Sequence, residues 1–350
     1  MRGGASRREL LRLAGFGVGA LSLPGLAWGA TDDPLTYVDP DLRDIARKWL
    51  QGMAALKAKG PIPPPPPPPV LPVPAGVIKR MVPGRNGAPP VPVYVIGANP
   101  DAAAAPTGGI LHIHGGGYIY RSALEDVDRL KVLAARLGCV IVTVEYRLAP
   151  GTRFPGSLED NYAALKWMFA NAASIGVDPA RIALMGISAG GGHAAMLAIA
   201  ARDRGEVQPV FQALIYPMLD DRTGSSRPVP KNVGTIIWTP EDNRKGWSAL
   251  LGQPAGMKTV PAGAVPSRVA NLAGLPPAFV AVGGIDLFAG EDIDYARRLN
   301  DAGVPTELLV LPGAYHAFDL VVPQARVSRQ FQTAFDNAMS RALKLGKPAS

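Results

Sequence analysis

Two glycine-rich segments carry the groups best suited to chemistry: His114-Gly115-Gly116-Gly117-Tyr118 and Gly186-Ile187-Ser188-Ala189-Gly190. The second fits Gly-x-Ser-x-Gly, a sharp strand-to-helix turn whose small residues lift the serine hydroxyl clear of the backbone. The first offers backbone N–H groups beside that serine, as a developing oxyanion requires. The expected donors are the amides of Gly116, Gly117 and Ala189, with glycine demanded where the backbone must approach the reacting carbonyl. With 40 glycines in 350 residues, either motif alone can arise by chance. Both together, in this order and each behind an apolar strand-like run, point to acyl transfer.

A serine nucleophile needs a base, and the sequence holds four histidines: His112, His114, His193 and His316. His112 and His114 belong to the strand that leads into the glycine loop. A metal there would need further ligands, and no cluster accompanies the pair, so neither metal nor cofactor is expected. His193 follows the serine by five residues on the same helix and reads as a packing residue. His316, in a loop behind the last apolar run, is free to reach the serine from another element. Asp286, at the end of the run 278–282, is the expected orienting carboxylate. Asp292 and Asp294 read as a solvated helix start. The order Ser188, Asp286, His316 is the one that nucleophile-elbow hydrolases use.

The elements that must position these residues follow from hydrophobic periodicity. Residues 77–82 and 91–96, separated by Pro-Gly-Arg-Asn-Gly, read as an antiparallel pair. Buried-strand runs follow at 109–113, 139–145, 181–185, 210–215, 278–282 and 306–311. Between them one helical pattern puts Leu124, Val127, Leu130, Leu133 and Leu137 on a single face. Another opens at Ser157, with Asp160 as a capping-box partner, and carries Leu158, Tyr162, Leu165 and Phe169. Continuous apolar strands alternating with amphipathic helices imply a mainly parallel α/β sheet covered on both faces. Residues 217–275 exceed an ordinary connection and include a helical pattern at 240–251; such an excursion is usually functional, as a lid is. Residues 39–58 form a helix with Leu42, Ile45, Trp49, Met53 and Leu56 on one face. That helix and the 217–275 excursion are expected to roof the serine.

The N-terminal residues 1–30 read as a targeting segment: Ser6-Arg7-Arg8-Glu9-Leu10-Leu11 has the form of a twin-arginine export motif, followed by an apolar stretch and small residues near 29–30. Pro24 and several glycines interrupt that stretch, so a stable membrane anchor is not expected. The protein is expected in the periplasm or outside the cell, or in the cytoplasm if the signal is unused. Pro63–Pro69 favours an extended, stiff spacer, which makes residues 31–76 a helix plus linker and residues 77–350 the catalytic body. The net charge of +8 falls to about +5 without the first 30 residues, and the remaining charges are scattered, so nucleic acid is not an expected partner. Cys139, the single cysteine, reads as a buried small hydrophobe.

Taken together, His114-Gly115-Gly116-Gly117-Tyr118, Tyr146-Arg147-Leu148-Ala149-Pro150, Phe154-Pro155-x-x-Leu158-Glu159-Asp160, the serine elbow, Tyr216-Pro217-Met218, Leu275-Pro276-Pro277, Asp286 and His316 resemble the bacterial hormone-sensitive lipase-like esterases of the α/β-hydrolases. The resemblance covers about residues 77–345. It implies an eight-stranded, mostly parallel sheet with helices on both faces and a helical cap built from the N-terminal segment and residues 217–275. It departs from the family pattern at Ile187, at Gly151, and in lacking a second aspartate four residues beyond Asp286. The implied activity is hydrolysis of small carboxylic esters through an acyl-enzyme. Amide cleavage by the same triad and ligand binding without catalysis remain alternatives. Tyr118, Trp49, Met53, Trp238 and Trp247, with Leu251, are the expected pocket walls. Such a roof closes the acyl pocket early, favouring chains of about two to eight carbons.

Overall fold

The strand-like runs become eight strands of one sheet: β1 (Val77–Val82), β2 (Val91–Ile96), β3 (Thr107–Ile113), β4 (Val140–Val144), β5 (Val177–Ile187), β6 (Phe211–Ile215), β7 (Ala278–Gly283) and β8 (Thr306–Leu311). The computed structural model describes residues 33–60, 71–99 and 105–345. The export segment expected at 1–30 and the tract Pro63–Pro69 lie outside the described residues. The spatial order is β1-β2-β4-β3-β5-β6-β7-β8. β2 runs antiparallel to β1 and β4, and every pairing from β4 to β8 is parallel.

Parallel neighbours need crossovers, and helices supply them. The helices are α1 (Arg43–Ala58), α2 (Val127–Leu137), α3 (Gly156–Ala170), α4 (Ala189–Arg204), α5 (Pro240–Leu251), α6 (Ala289–Asp301), α7 (Phe318–Val321) and α8 (Arg326–Ala342). Strand alternation divides the core into two layers. On β3, Leu111 joins Tyr162 and Met168 of α3 and Met196 of α4, whereas Ile110 joins Leu130 of α2 and Phe335 of α8. Both sheet faces are thus covered, the cover a central parallel sheet requires. Among the described residues, no helix is long and apolar enough to cross a membrane.

Four local expectations need correction. β8 is not a buried run: it forms the sheet's edge with β7 as its one partner, and Leu308 and Val310 are exposed. The helix at 39–58 starts as a 3-10 turn at Pro40–Leu42, and of its expected apolar face only Leu42 is buried. Leu56, at the other end, is 48% exposed. No capping box opens α3. The Asp160 carboxylate instead accepts from the Arg147 backbone N–H at 3.0 Å and its guanidinium at 2.7 Å, because a buried carboxylate is best stabilised by a charged donor. Capping boxes occur instead at α5, where Thr239 and Asp242 cap each other, and ahead of α2, where Ser122 and Glu125 do.

The long segment between β6 and β7 carries α5 and is organised by buried polar groups. Asp221, fully buried, accepts from Arg268 at 2.7 and 2.8 Å and from the Gly256 N–H at 2.9 Å. Asn243 of α5 donates to the Thr223 carbonyl at 2.8 Å.

Candidate active site

β5 ends at Ile187 and α4 begins at Ala189, leaving Ser188 at the turn with φ 57° and ψ −121°. Positive φ is strained for a residue with a side chain. Backbone bonds hold it there: the Ser188 N–H donates to the Ile215 carbonyl at 2.9 Å, and its carbonyl accepts from Gly192 and Met218 at 3.0 Å each. The flanking glycines are a steric demand. A Cβ on Gly190 would lie 2.0 Å from the Ile113 carbonyl oxygen. That close approach presses the two glycine motifs together.

His316, in the loop between β8 and α7, places Nε2 2.9 Å from Ser188 Oγ and Nδ1 2.9 Å from Asp286 Oδ2. With the carboxylate accepting the Nδ1–H, Nε2 is left as an acceptor for the serine hydroxyl. The other Asp286 oxygen accepts the Phe288 N–H at 3.0 Å. Tyr216 and Phe288 flank the imidazole, their ring centroids 4.9 and 5.3 Å away. The structure therefore brings together the serine, histidine and aspartate singled out in the sequence, each at the C-terminal end of a parallel strand. Ligands of open α/β sheets bind there.

Asp292 is a correction. It is fully buried in α6 rather than solvated, and neither carboxyl oxygen has a hydrogen-bond partner. Burial, with Glu291 and Asp286 nearby, pushes its carboxyl well above the usual range. Asp294 is partly exposed and pairs with Arg297 at 2.9 Å, as a solvated helix residue can. Glu291, passed over in the sequence, is buried and accepts the N–H groups of Leu219 and Asp220 at 2.7 and 3.0 Å. It thereby pins the chain just beyond β6.

On the other side of the serine, Gly116 and Gly117 adopt φ of 118° and 58°. Ala189 opens α4, so its amide lacks an intrahelical acceptor. The loop's shape is fixed from below. Tyr146 donates its hydroxyl to the His114 carbonyl at 2.9 Å and stacks on the His114 ring at 4.2 Å. His114 Nδ1 in turn bonds the Gly115 carbonyl at 2.8 Å. Burial pushes His114 down to about 4, and His112 and His193 to about 3, so all three are neutral near pH 7. His112 bonds Thr143 at 2.9 Å, and the His193 ring lies edge-on to Tyr118 and Tyr146. Burial raises the Cys139 thiol to about 12.

The expected pocket walls divide. Trp238 stands at the serine: its ring tip lies 2.2 Å from where a Gly117 Cβ would be, and its ring centroid is 6.3 Å from that of His316. Tyr118 and Trp247 do not face the pocket. They are 1% and 0% exposed and pack edge-on at 5.0 Å beneath the glycine loop, because the Tyr118 hydroxyl is drawn inward to the Met218 carbonyl at 2.8 Å. Leu251 is likewise buried in the core on that side. Trp49 packs half-buried on the α2–α8 side, and Met53 is half-exposed farther along α1.

Comparisons with known proteins bear on the fold and the family. A family model for the α/β-hydrolase fold matches residues 110–320. Esterase LipI of Mycobacterium tuberculosis is 35% identical over 256 residues, 71% of this chain and 78% of its own. The ethyl acetate hydrolase of Pseudomonas putida is 34% identical over 235 residues, 65% of this chain and 71% of its own. Among solved structures, a bacterial heroin esterase matches with a TM-score of 0.71 at 33% identity, covering 88% of this chain and 98% of that one. On these matches and on the motifs around Ser188, the chain belongs to the hormone-sensitive lipase-like esterase family of the α/β-hydrolases.

Proposed function

We propose that this protein is a serine carboxylesterase acting on small esters of short-to-medium acyl chains. The observation that carries the reading is the pair of 2.9 Å contacts linking Ser188, His316 and Asp286. His316 takes the Ser188 proton as Oγ attacks the ester carbonyl, and Asp286 stabilises the imidazolium. The amides of Gly116, Gly117 and Ala189 receive the oxyanion, each worth on the order of 3 kcal/mol of barrier. Collapse expels the alcohol, protonated by His316, and leaves an acyl-enzyme. Water activated by the same histidine then releases the acid.

The acyl limit rests on Trp238. Its indole packs against Gly117 with its centroid 6.3 Å from that of His316, so a growing chain beside them soon meets an aromatic wall. Residues 31–76 are assigned as an N-terminal cap helix followed by a polyproline linker, 77–350 as the catalytic domain carrying the cap insertion at about 217–275, and 1–30 as an export signal. The name of the ethyl acetate hydrolase relative, a two-carbon acyl ester, agrees with a short-chain site.

Two measurements test this. An organophosphonate should label Ser188 covalently, whereas no labelling would favour a binding protein. Aryl esters should be cleaved fastest between about two and eight acyl carbons. A rate that keeps climbing with chain length and jumps at an oil–water interface would make this a lipase. Equal turnover of the matching anilides would make it an amidase.

A further inference from the structure

Behind the tyrosine that flanks His316 lies a second hollow, open to solvent on one side. It is a cavity of about 240 Å³ bounded by α2, α7 and α8, with Met185 of β5 and Ile215 of β6 as its floor. Leu133, Leu320, Phe331 and Phe335 make its walls apolar. Into this space the fold sets polar groups that the catalytic arrangement does not use. Ser328 is 3% exposed and its hydroxyl has no hydrogen-bond partner. Arg129 comes only to 3.5 Å from Asp126, which Arg121 already holds at 3.0 Å, and its Nη2 is buried without a hydrogen-bond acceptor. Arg136, also on the rim, is by contrast engaged by Asp336 at 2.7 Å.

One end of the cavity is Asp319, three residues beyond His316. Its Oδ1 accepts the Tyr216 hydroxyl at 2.7 Å, and the Tyr216 ring lies edge-on to His316 at 4.9 Å. One tyrosine thus touches both the cavity's acid and the catalytic imidazole.

We propose that this cavity is a second ligand site for a small aliphatic carboxylate, and that its occupancy reaches His316 through Asp319 and Tyr216. An apolar wall with one guanidinium held only by a long 3.5 Å ion pair to Asp126 and one unengaged hydroxyl suits a single anionic head on an alkyl tail. A polyanion would meet too few cations, and an organic cation would meet Arg129. A cavity of ~150 Å³ holds benzene, so this one has room for a chain of about six to eight carbons. Carboxylates of that kind are the acid products of the proposed esterase, and to that extent the inference rests on that reading. Burial raises the Asp319 carboxyl, opposed by the Tyr216 hydroxyl and by Arg129, which eases the approach of a second carboxylate. Drawing Asp319 toward the ligand weakens its bond to Tyr216 and loosens the ring that aligns His316. The product then lowers kcat as well as competing at the serine.

The test is calorimetric titration of sodium hexanoate into protein whose Ser188 has been blocked with an organophosphonate. Binding of one equivalent is expected. Arg129→Gln, which removes the charge, should weaken it about tenfold or more. Val132→Trp, at an exposed position on the rim, should do the same by filling the mouth. In unblocked protein, hexanoate should lower kcat, and Tyr216→Phe should abolish that effect while hexanoate still binds. If Arg129→Gln does not fold, Val132→Trp decides. No binding to the blocked protein, or binding that neither variant weakens, overturns the site. Inhibition that stays purely competitive overturns the coupling. If the phosphonate fails to label, it is the esterase reading that fails; the same titration and variants on unmodified protein still judge the cavity.

Discussion

At the scale of single residues, Ser188 is held in a left-handed turn by backbone bonds on both sides, so its hydroxyl contributes little to the core. Ser188→Ala should therefore fold normally, with an unchanged melting temperature, while ester hydrolysis falls by about 10⁴ or more. Residual activity within tenfold of wild type would remove Ser188 from the chemistry. Asp286→Asn should lower kcat by about 10³ to 10⁴ with little change in KM, since the imidazolium loses its partner and the tautomer is no longer fixed. Asp292→Asn should leave kcat within a few fold. Equal losses in the two variants would mean that the buried pair acts as a unit.

Among the elements, the segment around α5 and the N-terminal segment both bear on the site. Ile237 adopts φ 67°, rare and strained for a β-branched residue, and the following N–H of Trp238 bonds back to the Ile236 carbonyl at 2.8 Å. This tight turn aims the indole at Gly117. Trp238→Ala should move the acyl-length optimum toward longer chains by several carbons, read from kcat/KM across an ester series; an unmoved optimum would place the chain stop elsewhere. At the N-terminal side, Asp39 donates its N–H to the Gly313 carbonyl at 2.9 Å and accepts from Arg326 at 2.9 Å, tying the start of the 3-10 turn to the His316 loop. Gly313 has φ 69°, and a Cβ there would stand 2.5 Å from the Asp39 nitrogen. Gly313→Ala should cost about 1–3 kcal/mol, lowering Tm by several degrees, and should reduce kcat through the loosened histidine loop. A fall in Tm with kcat untouched would show that the loop and the N-terminal segment are not coupled.

Across the whole molecule, buried acids link stability to pH. Burial makes Asp292 hold its proton in the folded state well above the ordinary aspartate pKa of 3.8 that applies when the chain is unfolded. The folded state then binds more protons than the unfolded one as pH rises past that value, so this residue's contribution to stability falls with pH until its raised pKa is reached. Asp292→Asn removes the titration. The Tm of the variant minus that of wild type should be smallest near pH 4 and should grow toward pH 8, whatever the fixed cost of the amide. A difference that does not change with pH would mean that Asp292 is ionised in its site.

Much of this architecture could be read before any coordinates. Glycine spacing specified the serine turn and the glycine loop beside it, because only glycine tolerates backbone at 2.0 Å from a would-be Cβ, a local steric rule independent of what lies around it. Apolar periodicity specified the strands and most helices for the same reason, since alternation and helical repeat are properties of the chain itself. What covers an element is another matter. Asp292 read as solvated and Tyr118 and Trp247 as pocket walls, yet all three are buried, and β8 read as buried but stands at the sheet's edge. The depth of a side chain depends on elements dozens of residues away, and so does the choice of Trp238 over Trp247 as the ring above the serine. Sequence determined which groups this protein can bring to an ester; tertiary packing decided which of them reach it, because burial is a sum over distant neighbours that no local pattern contains.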